Sequence, residues 1–289
     1  MTTSNIFAAR HRNQMLINVF AWVVMLALAL PGFWIIMTAF RSNGEINASP
    51  PVWIPRELTL EAFANMFGLN PDLQQRVPVE NYMANSMVAA LISTGLSLVA
   101  GTLAAYAFSR FRFRLHTLTF LAIMLSRTVP GVALSLPLFI LFNQLKILNS
   151  VYSVAFVYVA INIPFTVWLM DGFFRQIPRD LTEAAYIDGC GYWSAFWRVD
   201  LPLALPGLAA AGIFAFLAAW NEFQIVSVLA RNATAKTFPP GLFDFTEQFT
   251  VDWRGMCAMS VIMMIPAIVF VLLTQRNLVR GLTFGAVKG

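Results

Sequence analysis

Charge is scarce in this sequence. Asp, Glu, Lys and Arg together make up 11% of its 289 residues, against roughly 25% in soluble domains. So few charges cannot cover a globule in water, which excludes an ordinary soluble fold. Histidine and cysteine are scarcer still, with two of each. Cys190 sits in a charged segment and Cys257 at the start of an apolar one. No Cys or His ligand spacing accompanies them, so neither a disulfide nor a metal site is expected. No G-x-x-x-x-G-K-[ST] run occurs, so an ATP site of the chain's own is not expected. Nor is there an H-E-x-x-H or a convincing Ser/His/Asp set. His11 and His116 lie among arginines and read as solvated bystanders. The chain is expected to catalyse nothing itself and to bind no cofactor.

What is abundant is apolar length. Hydrophobic residues make up 58% of the chain, with 26 Phe and 13 Met, and the mean hydropathy is +0.69. A spanning helix needs roughly 20 mostly apolar residues. Six such stretches are predicted, at 15–39, 85–108, 118–142, 151–170, 203–223 and 256–274. Arg10 and Arg12 precede the first, which is too long for a signal-peptide core and reads as a retained anchor. The net charge of +5 follows span ends rather than a nucleic-acid face. Arg10 and Arg12, then Arg110, Arg112 and Arg114, then Arg175, Arg179 and Arg198, then Arg276, Arg280 and Lys288 all crowd on one side. By the positive-inside rule that side, with both termini, is cytoplasmic. The resulting division is a cytoplasmic N-terminus at 1–14, a first span at 15–39 and an outer loop at 40–84. A helical core at 85–274 and a cytoplasmic tail at 275–289 complete it. No internal repeat or low-complexity tract is evident.

Two connections face outward. The first carries Pro50, Pro51, Pro55, Pro71 and Pro78, so it cannot be one helix. Within it Thr59 can cap a short helix through Phe67, with Leu60, Phe63 and Phe67 on one face. The second, at 224–255, holds Phe238, Phe243, Phe245, Phe249 and Trp253, which read as an interfacial aromatic belt or a partner contact.

The cytoplasmic segment 173–202 is the most distinctive. Pro178 suits the first turn of a new helix. Leu181, Ala184 and Ala185 then share a face, with Asp188 next on that stripe. Gly189 can take the left-handed conformation that ends the helix. Residues 192–198 can form a second short helix, which Pro202 stops before the next span. A short surface helix clamped in this way acts as a lever on the spans that flank it. An ordinary amphipathic interfacial helix is the plain alternative.

Glu183-Ala184-Ala185, three residues, Gly189, nine residues, then Val199-Asp200-Leu201-Pro202 resembles the EAA loop of ABC importer permeases. The run from Phe173 to Pro178, Ala219-Trp220-Asn221-Glu222-Phe223 and the C-terminal Gly281-Leu282-Thr283-Phe284-Gly285-Ala286-Val287-Lys288-Gly289 are similar to signatures of maltose-type carbohydrate importer permeases. The resemblance implies an all-α, MetI-like polytopic fold of six transmembrane helices in a bacterial inner membrane. It implies a second homologous permease, two copies of a cytoplasmic ATPase that use ATP and Mg, and an extracytoplasmic sugar-binding protein. Glu183, Ala184, Ala185, Asp188, Gly189, Leu201 and Pro202 would couple to the ATPase. Gly285, Ala286, Val287 and Lys288 would reach toward the ATPase dimer. The stretch 237–253 would meet the binding protein. Cys190 and Gly191 stand where the family often has Ala, and Val199 where it has Ile. The sugar, polyol or sugar phosphate carried is not legible.

A rival reading from another class is a secondary transporter driven by an ion gradient, and a third is a receptor or scaffold without transport. A secondary transporter needs ionisable groups in the membrane, and Arg127, Asp171 and Glu222 are the candidates. Asp171 and Glu222 lie at span ends, where solvation is cheap. Arg127 lies inside the third span, before Pro130, and Pro130 and Pro137 can break that helix. Arg127 is therefore expected to face the translocation path or the partner permease, with an interior pairing to Asn or backbone carbonyls as the plain alternative. Asn162, Trp220 and Asn221 are further candidate path residues.

Overall fold

A computed structural model describes the chain over residues 3–50, 52–70, 76–246 and 250–286, with side chains between 13 and 273. The described residues form thirteen α-helices: α1 (Thr3–Ala39), α2 (Asn43–Ile46), α3 (Glu61–Met66), α4 (Val79–Arg110), α5 (His116–Ser126), α6 (Gly131–Gln144), α7 (Val151–Gln176), α8 (Arg179–Ile187), α9 (Tyr192–Ala195), α10 (Leu201–Trp220), α11 (Val226–Leu229), α12 (Phe238–Gly241) and α13 (Trp253–Ala286). Among the described residues, five helical stretches are long and apolar enough to cross a membrane: Asn13–Ala39, Val79–Arg110, Val151–Gln176, Tyr192–Trp220 and Trp253–Leu273. The pair α5 and α6, bent by 91° at their break, makes a sixth when the two are counted as one broken span. The chain divides into two compact units, Met1–Gln74 with Phe245–Ile262, and Gln75–Asp244 with Met263–Gly289.

In the first unit α1 is outward-facing along most of its length. Phe20, Leu28 and their neighbours are exposed, as expected of a helix that meets lipid rather than its own chain. The proline-rich connection after it is organised around buried Arg41. Its guanidinium stacks on Trp34 at 4.4 Å and donates to the carbonyl of Trp53 at 2.5 Å. Thr59 Oγ1 accepts the amide of Glu61 at 3.2 Å, but Thr59 is not the cap: Leu60 occupies the N-cap position of α3 and makes no side-chain cap hydrogen bond. The buried face of α3 is Ala62 and Met66, however, and Leu60 and Phe67 are exposed. The Phe40–Phe63 ring contact and the 2.6 Å Arg254–Glu61 pair set the roll of this short helix. That hydrogen bond and the nearby positive charge also hold the Glu61 carboxyl below its usual value.

In the second unit α4 and α7 lie along each other, and α10 packs on both. Lipid tails are as apolar as leucine, so close packing of small residues has to drive this association. Gly101 on α4 is a point of close approach: a Cβ there would sit 2.6 Å from Thr166 Cγ2 on α7. Polar groups inside the bundle find partners across it. Asn162 donates its side-chain amide to the Ala215 carbonyl at 3.0 Å, and the Trp220 indole N–H donates to Met263 at 3.1 Å. Tyr106, Met170, Phe174, Phe196 and Ala204 form a buried cluster at one end of these helices.

Three expectations change here. The third span is not one helix. Arg127, Thr128, Val129 and Pro130 separate α5 from α6, while Pro137 sits inside α6. Pro130 has no N–H to continue the ladder, and its ring would strike the carbonyl one turn back. Pro202 does not stop a helix. Helix α9, a π-helical turn over Phe196–Asp200 and α10 run on as one 29-residue stretch. The wide turn bonds the Leu201 N–H to the Phe196 carbonyl, re-registering the ladder where Pro202 would otherwise leave a gap. Phe238 belongs to no aromatic belt. It is fully buried, its N–H donates to Ser86 Oγ at 2.8 Å, and its ring lies edge-on to Trp220. Phe245 is also buried, Phe243 and Trp253 are exposed, and Phe249 lies outside the described residues.

Candidate functional site: the EAA loop and a cavity at the broken helix

The EAA segment is the helix α8. Pro178 occupies its N-cap position rather than its first turn. Gly189 ends it with φ +87°. The Gly189 N–H donates to Tyr186 at 3.1 Å and the Cys190 N–H to Ala185 at 2.9 Å, the paired bonds of a Schellman ending. The buried face is Thr182 and Ala185, not Leu181 and Ala184. Leu181, Glu183, Ala184, Ile187 and Asp188 are exposed, Ile187 at 86%. Tyr192, Trp193 and Trp197 on the following helix are exposed as well. An apolar edge flanked by two carboxylates is therefore turned away from the bundle.

One buried carboxylate fastens this loop to the spans. Asp200 has no exposed surface. Its Oδ1 accepts from Arg110 at 2.6 Å and from Thr182 at 2.9 Å, and its Oδ2 accepts from Tyr106 at 3.1 Å. Arg110 also donates to the Ile177 carbonyl at 3.3 Å, and Arg179 to the Ser109 carbonyl at 3.4 Å. The end of α4, the exit of α7, α8 and the turn leading into α10 thus meet at one charge. A buried carboxylate with three donors has its desolvation offset, but removing a partner strands a charge. The sequence reading missed these residues. Asp200 stood inside Val199-Asp200-Leu201-Pro202, where an acidic residue between apolar neighbours at the mouth of a span was a usable signal. Arg110 was read only as a marker of sidedness.

Leu201 is half-buried against the Phe174–Phe196 cluster, and Pro202 lies in the first turn of α10. At the far end, α13 continues past its apolar part through Gly285 and Ala286, and Val287 and Lys288 lie outside the described residues. His116 is not a bystander. Its Nε2 is 2.8 Å from the Phe108 carbonyl, and its ring contacts Phe108 and Phe113.

Of the four candidate path residues, Arg127 lines a cavity. A cavity of about 740 Å³ opens where α5 and α6 part, and Arg127 lines it with Leu134, Ala160, Ile161, Glu222 and Gln224. The Arg127 guanidinium lies over the Phe165 ring at 4.9 Å. Asn162 and Trp220 are buried and spend their donors on helix contacts. Asn221 is exposed, and its amide closes the end of α10 by donating to Leu217 at 2.9 Å. Helical position alone could not tell a path-facing amide from one that ties two helices together. Glu222, expected to be solvated at a span end, accepts the Ile225 and Val226 N–H groups at 2.8 and 3.1 Å. Asp171 is buried in α7 and pairs with Arg175 at 2.7 Å.

Comparison with known proteins agrees with this architecture. The family model described as "Binding-protein-dependent transport system inner membrane component" matches residues 97–284. The diacetylchitobiose uptake system permease protein DasC of Streptomyces coelicolor is 32% identical, with 94% of this chain and 96% of that protein covered. The trehalose transport system permease protein SugB of Mycobacterium tuberculosis is 33% identical, with 90% and 92% covered. A bacterial ABC transporter involved in the import of the acidic polysaccharide alginate shares the fold, with a TM-score of 0.73 at 21% identity over 96% of this chain and 98% of that one. A short loop helix between apolar spans, a broken third span and these likenesses have one reading: the chain belongs to the binding-protein-dependent transport system inner membrane components, multi-pass permeases of ABC importers.

Proposed function

We propose that this chain is half of the channel of an ATP-driven importer for a sugar or related polyol. A second homologous permease forms the other half, two copies of a cytoplasmic ATPase use ATP and Mg to drive it, and an extracytoplasmic sugar-binding protein delivers the substrate. The N-terminus, the loop 173–202 and the tail 275–289 lie in the cytoplasm, and the connections 40–84 and 224–255 lie outside. The observation that carries this reading is α8: a capped helix with an exposed apolar edge, fastened through Asp200 to the ends of two spans.

Glu183, Ala184, Ile187 and Asp188 dock on the ATPase, and the Schellman ending at Gly189 holds the helix at a fixed angle. ATP binding draws this loop toward its counterpart on the other permease. Because α8 is bolted to α4 and to the turn before α10, its displacement moves those spans as packed bodies between two arrangements. Gly285, Ala286, Val287 and Lys288 extend toward the ATPase dimer.

Glu183→Lys and Gly189→Pro test this. Each is expected to uncouple ATP hydrolysis from uptake in the reconstituted importer while leaving the spans folded. Transport is expected to fall at least about tenfold, which is roughly 1.4 kcal/mol on the barrier to uptake. Normal uptake in both variants would contradict the proposal.

A further inference from the structure

The cavity at the broken third span is apolar over most of its lining, with Leu134 and Ile161 among its walls. Its polar groups are not equivalent. Glu222 spends both carboxylate oxygens on the backbone N–H groups of Ile225 and Val226. Gln224 has its amide oxygen folded against Gly131, where a Cβ would stand only 2.8 Å from it. Arg127 is different. It is exposed, its one described side-chain contact is the face of Phe165, and it makes no ion pair among the described residues. A guanidinium carries five N–H donors in a planar fork suited to two oxygens of one acid group. A ring contact satisfies none of them. An arginine within a span is costly unless water or an anion meets it.

We propose that this cavity takes the acid group of an anionic saccharide, a carboxylate or a sulfonate, with Arg127 as its charge partner and the apolar walls against the C–H faces of the sugar ring. The proposal rests on the importer reading and narrows its substrate class to acidic sugars. Arg127 acts here as a specificity determinant: a neutral sugar of the same shape fills the apolar walls but leaves the fork unmet. An anionic lipid headgroup has the same chemistry as the acid group, and it is the alternative source that a test must separate.

The test uses the full chain, with the subunits that purify with it, in lipid nanodiscs. Cys190 and Cys257 are replaced by Ser, and Ala160→Cys places a thiol in the cavity wall. The probes are an anionic sulfonate-bearing and a cationic ammonium-bearing methanethiosulfonate. The anionic reagent is expected to react faster by about tenfold or more. Arg127→Gln should abolish that preference and Arg127→Lys should retain most of it. Millimolar uronic-acid disaccharide is expected to protect the thiol, while its carboxyl-reduced counterpart does not. Equal rates for the two reagents, a preference unchanged by Arg127→Gln, or equal protection by the two disaccharides overturns the proposal. Blocking of the thiol by anionic lipid but not by the uronide assigns the site to a headgroup and overturns it too. None of these readouts requires ATP, so failure here leaves the coupling variants of α8 to judge the importer reading separately.

Discussion

Asp200 shows how much one residue can decide. A fully buried carboxylate is tolerated because Arg110, Thr182 and Tyr106 all donate to it, and the same contacts tie the EAA helix to the spans. Asp200→Asn leaves Arg110 buried with half its partner gone, which costs about 3–5 kcal/mol when a buried pair is broken from one side. Replacing both, as in Arg110→Met with Asp200→Leu, removes the stranded charge and should restore most of the thermal stability, since apolar substitution of a buried pair is often neutral. Uptake should not return with it, because the joint between loop and span is still missing. Thermal unfolding and transport measured on the single and double variants check this, and recovery of both together would reduce the cluster to a packing role. The residue-level reading of the sequence succeeded where local chemistry suffices, as at Gly189. It failed at Asn162, Trp220 and Glu222, whose partners lie on other elements or in a turn that periodicity does not reveal.

At the scale of elements, the EAA helix was legible because its ends are written in short-range terms: Pro178 before it and Gly189 after it. Its rotation was not. Thr182 and Ala185 face inward because Asp200 reaches Thr182 from eighteen residues on. Gly189→Ala tests the ending. Open space surrounds its Cβ position, so the whole cost is the left-handed backbone, about 1–2 kcal/mol for a residue with a side chain. Gly189→Asn should cost less, since Asn adopts this conformation more readily. Hydrogen exchange of the α8 amides in the two variants gives the order, and equal protection would show that the turn does not fix the helix. The broken third span is a similar case. Pro130 and Pro137 are equally helix-breaking on paper, yet only Pro130 breaks the helix, and Pro137 is accommodated inside α6. Pro202 passes into a continuous span through a π turn whose existence no local pattern announced.

For the whole molecule, the testable statement is sidedness. With Cys190 and Cys257 changed to Ser, a membrane-impermeant maleimide should label Asn232→Cys on intact spheroplasts and Ile187→Cys only after permeabilisation. Both positions are exposed in the structure, so the reversed pattern would invert the proposed topology. Composition alone determined that this chain lives in a membrane, since 11% charge cannot clothe a soluble globule. The candidate spans followed from the length of apolar runs, and the family from a resemblance carried by Glu183, Gly189 and Pro202, because all three are properties of consecutive residues. Tertiary structure alone decided which face of α8 is free, which proline breaks a span, which polar side chains bind helices together, and that Arg127 meets a cavity. Each of those depends on a partner brought near by folding, and in a chain where nearly every position is apolar, periodicity leaves that choice of partner open.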